Sequence, residues 1–417
     1  MEWITTFEAL NNIYGKEAYS NMAINDALKN HAGVNASFVR MFAKGVLRET
    51  FALDYIIDQL ADKGVKSIKL RTLIVLRMGI YALRSLDSVP EYTAVDESVK
   101  LAKKVSKGSD KFVNALLRKY VRDEKNIKNS DELEVKYSCT RDLVELISEQ
   151  FGGECEKILD ALNTPAKTSI RTNILKTSRE ELIEMLKNEG IESVPDENTK
   201  SGIICDGGDL ISSKSYKAGL FSVQGLSSLT AIEKFNPNPN SNVLDMCAAP
   251  GGKTFAMAEI MQNTGKIVAC DIHPHKLDVM KAAGSRLGIT NVKTELLDGT
   301  EYNSDFENSF DYVLADVPCS GLGVISSKPE IKLNYNKTET EQLIAIQKKI
   351  LENAIKYTKN GGLIEYSTCT INMQENDAVI NSIIKLQNSV QILENNLILP
   401  YNYTNGFFYC IMKKCLK

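Results

Sequence analysis

Apolar residues in the first third of the chain recur at helical spacing. Phe38, Val39, Met41, Phe42, Val46 and Leu47 make one such series, and Leu70, Leu73, Ile74, Leu76, Met78, Ile80 and Leu83 make another. Val95 to Lys104 is a third, opened by Pro90 and closed by the polar turn Ser106-Lys107-Gly108-Ser109. The pattern predicts an all-helical domain over residues 1–125. The polar run from Asp123 to Ser130 reads as a linker, and helical periodicity returns from Asp131 to Leu162. After Pro165 the period changes. Ser169 to Asn173 predicts a short strand, and Ser178 to Asn188 an amphipathic helix in which Ser178 is the N-cap and Glu181 completes a capping box. Strand-and-turn material follows around Val194 to Val223, so residues 126–225 read as a helical linker and a small α+β subdomain.

From residue 226 to 417 apolar strands alternate with helices, the signature of a mostly parallel sheet in a Rossmann-like α/β domain. The strands expected are Asn242–Met246, Lys266–Asp271, Val292–Leu297, Tyr312–Asp316 and Leu363–Ser367, with a last hairpin near Phe407–Lys413. The Pro/Asn-rich stretch Asn236 to Asn240 marks the entry to the first of them.

Composition changes this picture little. No apolar run approaches the ~20 residues of a membrane helix, and Met1-Glu2-Trp3-Ile4 lacks the basic-then-apolar opening of a signal peptide. The nine cysteines follow no regular framework, which predicts reduced thiols in a cytoplasmic protein. None forms a CxxC pair or lies near a histidine cluster, so no metal site is expected. The net charge of −3 hides an asymmetry: residues 1–125 hold 20 Lys+Arg against 15 Asp+Glu, or +5, leaving −8 for the rest. A mildly basic first third can approach phosphates, although a solvated surface explains the charge equally well. Tyr14, Phe38, Phe42 and Tyr81 are expected to pack in a core rather than to stack on bases.

The candidate chemistry lies at strand ends. The first strand of the α/β domain runs into Cys247-Ala248-Ala249-Pro250-Gly251-Gly252-Lys253-Thr254 before a helix starts. A strand, a turn of small residues and a helix N-terminus form a cradle for a ligand. The P-loop pattern is not met, because Cys247 stands where its first glycine belongs, so ATP is disfavoured. Asp271, Asp298 and Asp316 close the next three strands. In an open α/β sheet such ends converge on one crevice. Asp271 suits ribose hydroxyls, Asp298 an adenine amino group, and Asp316 either an ammonium or a target base. A single aspartate there is ordinarily a helix cap; three in register with the glycine turn point to a site.

Cys319, in Asp316-Val317-Pro318-Cys319-Ser320-Gly321, and Cys369, in Tyr366-Ser367-Thr368-Cys369-Thr370, follow strands aimed at the same crevice. An isolated cysteine is usually an inert small hydrophobe. Two at such strand ends fit covalent catalysis on a cytosine, whose C5 is too weak a nucleophile until a thiolate has added to C6. The C5 proton must then leave and the thiolate be eliminated, which calls for a second acid or base. Lys253 or Asp316 is placed by the pattern to stabilise charge at N3 and N4.

The blocks Asp245–Thr254, Asp316–Gly323 and Tyr366–Thr370, in this order, resemble those of the RNA cytosine-C5 methyltransferases. The resemblance implies S-adenosyl-L-methionine as cofactor, Cys369 as nucleophile and Cys319 in product release. The first third resembles the NusB-like RNA-binding helical domain, through Arg40–Arg48, Leu76–Tyr81, Val89-Pro90 with Ala94–Glu97, and Phe112–Arg118. That fusion is similar to the bacterial enzymes that modify 16S rRNA, and it implies 16S ribosomal RNA as the partner, with no membrane and no obligate protein partner. The same chemistry on tRNA or 23S rRNA stays open, as does a non-catalytic role in ribosome assembly or antitermination. Three positions depart from the family pattern: Gly225 stands where an Asp is expected, the stretch Ser326-Ser327-Lys328-Pro329-Glu330 lacks the usual Arg and Asp, and Asn405 replaces an acidic residue.

Overall fold

In the computed structural model, which describes residues 1–16, 18–386, 389–402 and 404–415, the chain divides into two compact units. One is Met1–Asn163 with Ile325–Tyr335, the other Thr164–Val324 with Asn336–Lys417.

The first unit is helical, as the spacing predicts. Its longer helices are Glu2–Lys16, Ser20–Asn30, Ala36–Arg48, Thr50–Leu60, Leu70–Ser85, Glu91–Val105 and Asp110–Asp123, followed by Arg141–Phe151 and Cys155–Asn163. The apolar stripes become its core: Val39, Phe42, Val46, Leu47, Ile74, Leu76, Met78 and Ile80 are all inaccessible to solvent. Met41 and Leu70, off the centre of those stripes, face outward. Phe42 and Tyr81 are buried, Phe38 and Tyr14 lie against the same cluster, and the Phe42 ring sits 5.6 Å from Phe38 and 5.9 Å from Tyr81. These aromatics pack. No helix among the described residues is long and apolar enough to cross a membrane.

Ile325–Tyr335 reaches this unit from far along the chain, and periodicity gave no sign of it. The segment is held by charge-assisted hydrogen bonds. Arg48 and Lys44 donate to the carbonyls of Ser326 and Ser327, each at 2.9 Å. Glu330 accepts from the Ser20 backbone at 2.9 Å. Lys332, 1% exposed, donates to the carbonyls of Arg48 and Tyr137 and to Asn163 Oδ1. At Ser326 and Ser327 it is thus the backbone that takes the contacts.

The second unit contains two sheets. Strands β1 (Thr168–Thr172), β2 (Glu192–Pro195), β3 (Gly202–Asp206) and β4 (Phe221–Val223) pair antiparallel in the order β2-β3-β1-β4. The helix Arg179–Asn188 begins with the expected capping box of Ser178 and Glu181. The larger sheet comprises β5 (Asn242–Asp245), β6 (Lys266–Asp271), β7 (Val292–Leu296), β8 (Phe310–Asp316), β9 (Thr358–Thr368), β10 (Val390–Ile398) and β11 (Phe407–Lys414). Its order is β10-β11-β9-β8-β5-β6-β7, with β11 antiparallel to both neighbours and the run from β9 to β7 parallel.

β6 has the predicted ends; β9 starts five residues earlier than its apolar stretch suggests. Its first turn of chain, Thr358-Lys359-Asn360-Gly361, is too polar to signal a buried strand, and its pairing with β8 is irregular between Phe310 and Tyr312. The registers place Asp245 beside Leu314, Asp271 beside Leu296 and Asp316 beside Ser367. The C-terminal ends of the parallel strands therefore share one edge.

Burial lowers the Lys332 pKa to about 8, so the ammonium is still mostly charged at neutral pH. Lys332→Met should remove the cation and leave three acceptors unpaired, a loss of about 3 kcal/mol for buried polar groups left unsatisfied. Urea unfolding followed by circular dichroism should show an earlier transition for this variant; an unchanged midpoint contradicts the anchoring role.

Candidate active site

The site is assembled from the segments that leave β5, β6, β8 and β9. After β5, Cys247–Gly251 turn sharply into the helix Gly252–Ile260. Ala248 donates to the Cys270 carbonyl and Gly251 to the Ala248 carbonyl, each at 2.7 Å. Gly251 has φ 101°, and a Cβ there would lie 2.5 Å from the Phe255 ring. Only glycine fits this bend. Asp245, the last residue of β5, is 1% exposed and accepts a 2.6 Å hydrogen bond from Thr254 Oγ1, tying the helix start to the strand end. Burial raises its pKa to about 7.

A second tie comes from the smaller sheet. Arg171, on β1, is buried and bonds both oxygens of Glu259 in the helix, at 2.9 and 2.8 Å. Its remaining nitrogen donates to the Gly252 carbonyl at 2.7 Å and to Gln224 Oε1. The cradle is thereby held from both sides.

Asp271 closes β6, mostly buried, and its Oδ1 accepts from the His273 backbone at 2.9 Å. One carboxylate oxygen therefore does cap the following turn. Asp298 lies two residues beyond β7, exposed, and accepts from the backbone and hydroxyl of Thr300 at 2.8 and 2.7 Å. Cys247, Ala248, Ala249, Pro250, Gly251 and Gly252 all belong to the turn described above. The turn of small residues, the helix N-terminus and the acid closing the neighbouring strand fit a nucleoside-bearing cofactor.

Lys253 and Asp316 meet in a 2.7 Å ion pair, and Asp316 also accepts from Ser367 Oγ at 3.1 Å. Burial works against the Lys253 charge, but the Asp316 carboxylate outweighs it and holds the ammonium above its ordinary pKa. The ammonium lies 5.0 Å from the centre of the Phe407 ring.

The two predicted cysteines are in contact. Cys319 Sγ and Cys369 Sγ are 3.3 Å apart, both half-buried. The Cys319 thiol is pushed well above its ordinary range, first by its hydrogen bond to Cys369 and then by burial. Backbone bonds lock the segments around them: Val317 N–H to the Ser367 carbonyl at 3.1 Å, Gly323 N–H to the Cys369 carbonyl at 3.0 Å, and Gly406 N–H to the Gly323 carbonyl at 2.8 Å. A Cβ on Gly323 would meet that Gly406 carbonyl oxygen at 2.1 Å. Gly225 begins the helix Leu226–Phe235 without a side-chain cap. The Asn405 carbonyl accepts from Ser227 Oγ at 2.6 Å in that helix.

Arg171, Asp245, Glu365 and Glu375 escaped the sequence reading as parts of the site. Glu365 carried a signal, a lone charge inside the apolar strand Leu363-Ile364-Glu365-Tyr366. It is fully buried, and neither carboxylate oxygen has a hydrogen-bond partner. Arg171 also carried one, since a charge between buried Ile170 and Thr172 demands an acid nearby. Glu375 had none, because its partners lie in distant segments.

Residues 232–412 match the family described as 16S rRNA methyltransferase RsmB/F, residues 4–122 the NusB family, and residues 141–209 the ferredoxin-like domain of RsmF/B-like methyltransferases. The chain is 32% identical to the probable ribosomal RNA small subunit methyltransferase B of Bacillus subtilis, over 98% of this chain and 97% of that protein. It is 35% identical to the 28S rRNA (cytosine-C(5))-methyltransferase of Mus musculus, over 62% of this chain and 33% of that one. Among solved structures, PH0851 superimposes with a TM-score of 0.86 at 26% identity, covering 98% of both chains.

Burial raises the Glu365 pKa from 4.5 to about 8. In the unfolded chain this acid ionises first, so it favours the folded state at low pH and opposes it as pH climbs from about 4.5 through 8. The slope is at most about 1.4 kcal/mol per pH unit. Glu365→Gln should flatten the fall in stability between pH 5 and 8, measured by urea unfolding. Identical slopes for the two proteins would remove Glu365 as the cause.

Proposed function

Since the chain belongs to the family of ribosomal RNA small subunit methyltransferase B proteins, we propose that it methylates C5 of one cytosine in 16S rRNA through a covalent adduct with Cys369. It is an S-adenosyl-L-methionine-dependent enzyme. The observation that carries the reading is the 3.3 Å contact of Cys369 with Cys319 at the ends of adjacent parallel strands, beside the Lys253–Asp316 pair.

Cys247–Gly252 and the helix N-terminus receive the cofactor, with Asp271 toward ribose hydroxyls and Asp298 toward the adenine. The bound cofactor supplies an electrophilic methyl group. The thiolate of Cys369 bonds to C6 of the target base, and the electron pair displaced from the C5–C6 double bond makes C5 nucleophilic. Lys253, kept charged by Asp316, balances the negative charge that builds over N3 and N4. Once C5 carries the methyl group, its proton must pass to a base. The double bond then re-forms and the Cys369 sulfur departs from C6. Cys319, whose sulfur touches that of Cys369, is the group placed for this release step.

The helical unit supplies RNA affinity: residues 1–125 carry +5, a balance suited to contacts with phosphates. The substrate is free 16S rRNA or an assembly intermediate, and the work is cytoplasmic.

The two cysteines should fail differently. Cys369→Ala should abolish methylation and give no covalent protein–RNA complex. Cys319→Ala should form the adduct, methylate it and stall, accumulating a crosslinked complex on denaturing gels when cofactor is present. A trapped complex with Cys369→Ala instead reverses the assignment, and full turnover in both variants eliminates the covalent route.

A further inference from the structure

Glu375 lies six residues beyond Cys369, is completely buried, and has no place in the chemistry above. Its carboxylate joins three separate segments. Oε2 accepts from the Ser320 backbone at 2.8 Å and from Gln347 Nε2 at 3.0 Å, and Oε1 accepts from Ser320 Oγ at 2.5 Å and Asn372 Nδ2 at 3.1 Å. Gln347, in the helix Lys337–Tyr357, also donates to the Pro318 carbonyl at 3.0 Å. Ser320 Oγ is 2.8 Å from Thr370 Oγ1. The residue after Cys319 is therefore fastened both to the residue after Cys369 and to the Glu375 carboxylate.

The four donors are all uncharged. Burying a carboxylate among neutral donors is costly beside burying an amide of the same shape. A glutamine could keep part of the bracket, but its amide end is a donor and would face the Ser320 N–H or the Gln347 amide. The arrangement calls for an acceptor at both oxygens.

We propose that Glu375 is a positioning residue for the release step: it fixes the Cys319 segment against the Cys369 segment, so that the Cys319 sulfur, in its thiolate form, takes up the C5 proton and becomes a thiol as the C5–C6 double bond re-forms and the Cys369 sulfur leaves C6 as thiolate. This rests on the assignment of Cys369 to attack and Cys319 to release. Attack on C6 needs Cys369, Lys253 and the base but not Cys319, whereas release needs both sulfurs in place, so loosening the bracket slows the second stage more than the first. The Glu375 charge also contributes, after the Cys369 hydrogen bond and burial, to holding the Cys319 thiol high.

The test uses the full-length enzyme, labelled S-adenosyl-L-methionine and 16S rRNA, with Glu375→Gln, Ser320→Ala and Cys319→Ala in parallel. For Glu375→Gln, kcat should fall at least tenfold while KM for RNA and cofactor Kd stay within twofold. A denaturation-resistant, methylated adduct should accumulate, and the pH at which adduct breakdown rises should move lower. Ser320→Ala should show a smaller effect of the same kind, and it decides the matter alone if Glu375→Gln does not fold. Unchanged kcat overturns the proposal, as does a lower kcat with weakened cofactor binding and no adduct, while Cys319→Ala still traps. If Cys319→Ala fails to trap, the cysteine assignment falls and the proposal with it.

Discussion

The parallel pairing of β8 with β9, with Asp316 opposite Ser367, brings two motifs 50 residues apart out of the sheet side by side. Everything chemical in the molecule follows from that register. Shifting it by one residue would turn every side chain of one strand to the other face, separating the Cys319 segment from Cys369 and Asp316 from Ser367. The register is fixed from outside as well: β11 runs antiparallel along β9 and then supplies Phe407, over which Lys253 sits. Gly323 and Gly406 close the gap, because no side chain fits between their backbones.

A second layer of support ties down the turn after β5 and the helix that follows it. Arg171 of the small antiparallel sheet is spent on Glu259 and the Gly252 carbonyl, so the small sheet does more than join two parts of the chain. Its arginine takes up the Gly252 carbonyl where the turn passes into the helix. The segment Ile325–Tyr335 begins just after the Cys319 motif and is built into the helical unit through Lys332 and Glu330.

Much of this was legible in the sequence wherever the signal is local. Helical spacing found the helices around Phe42 and Ile74, Ser178 and Glu181 announced their capping box, and β6 runs over the residues its apolar pattern predicts. The small-residue turn between β5 and its helix, and the meeting of Cys319 with Cys369, were legible because both lie at strand ends that a parallel sheet brings to one edge. Long-range partners were not. Nothing near Lys332 foretells that its segment leaves the α/β unit, since its acceptors come from residues 48, 137 and 163. Glu375 sits in an ordinary polar turn until Ser320 and Gln347 are brought to it. Asp298 was drawn as a strand end, but β7 stops at Leu296, because the exposed Leu296 and partly covered Leu297 look alike in an apolar run.

The central claim is that the methyl group replaces the hydrogen on C5 of a cytosine, and the hydrogen lost from C5 reports on it directly. With 16S rRNA carrying tritium at cytosine C5 and unlabelled cofactor, the account predicts one tritium released to water for each methyl group transferred, in step with turnover. Methyl incorporation with the tritium retained would place the methyl elsewhere on the nucleotide and contradict the account.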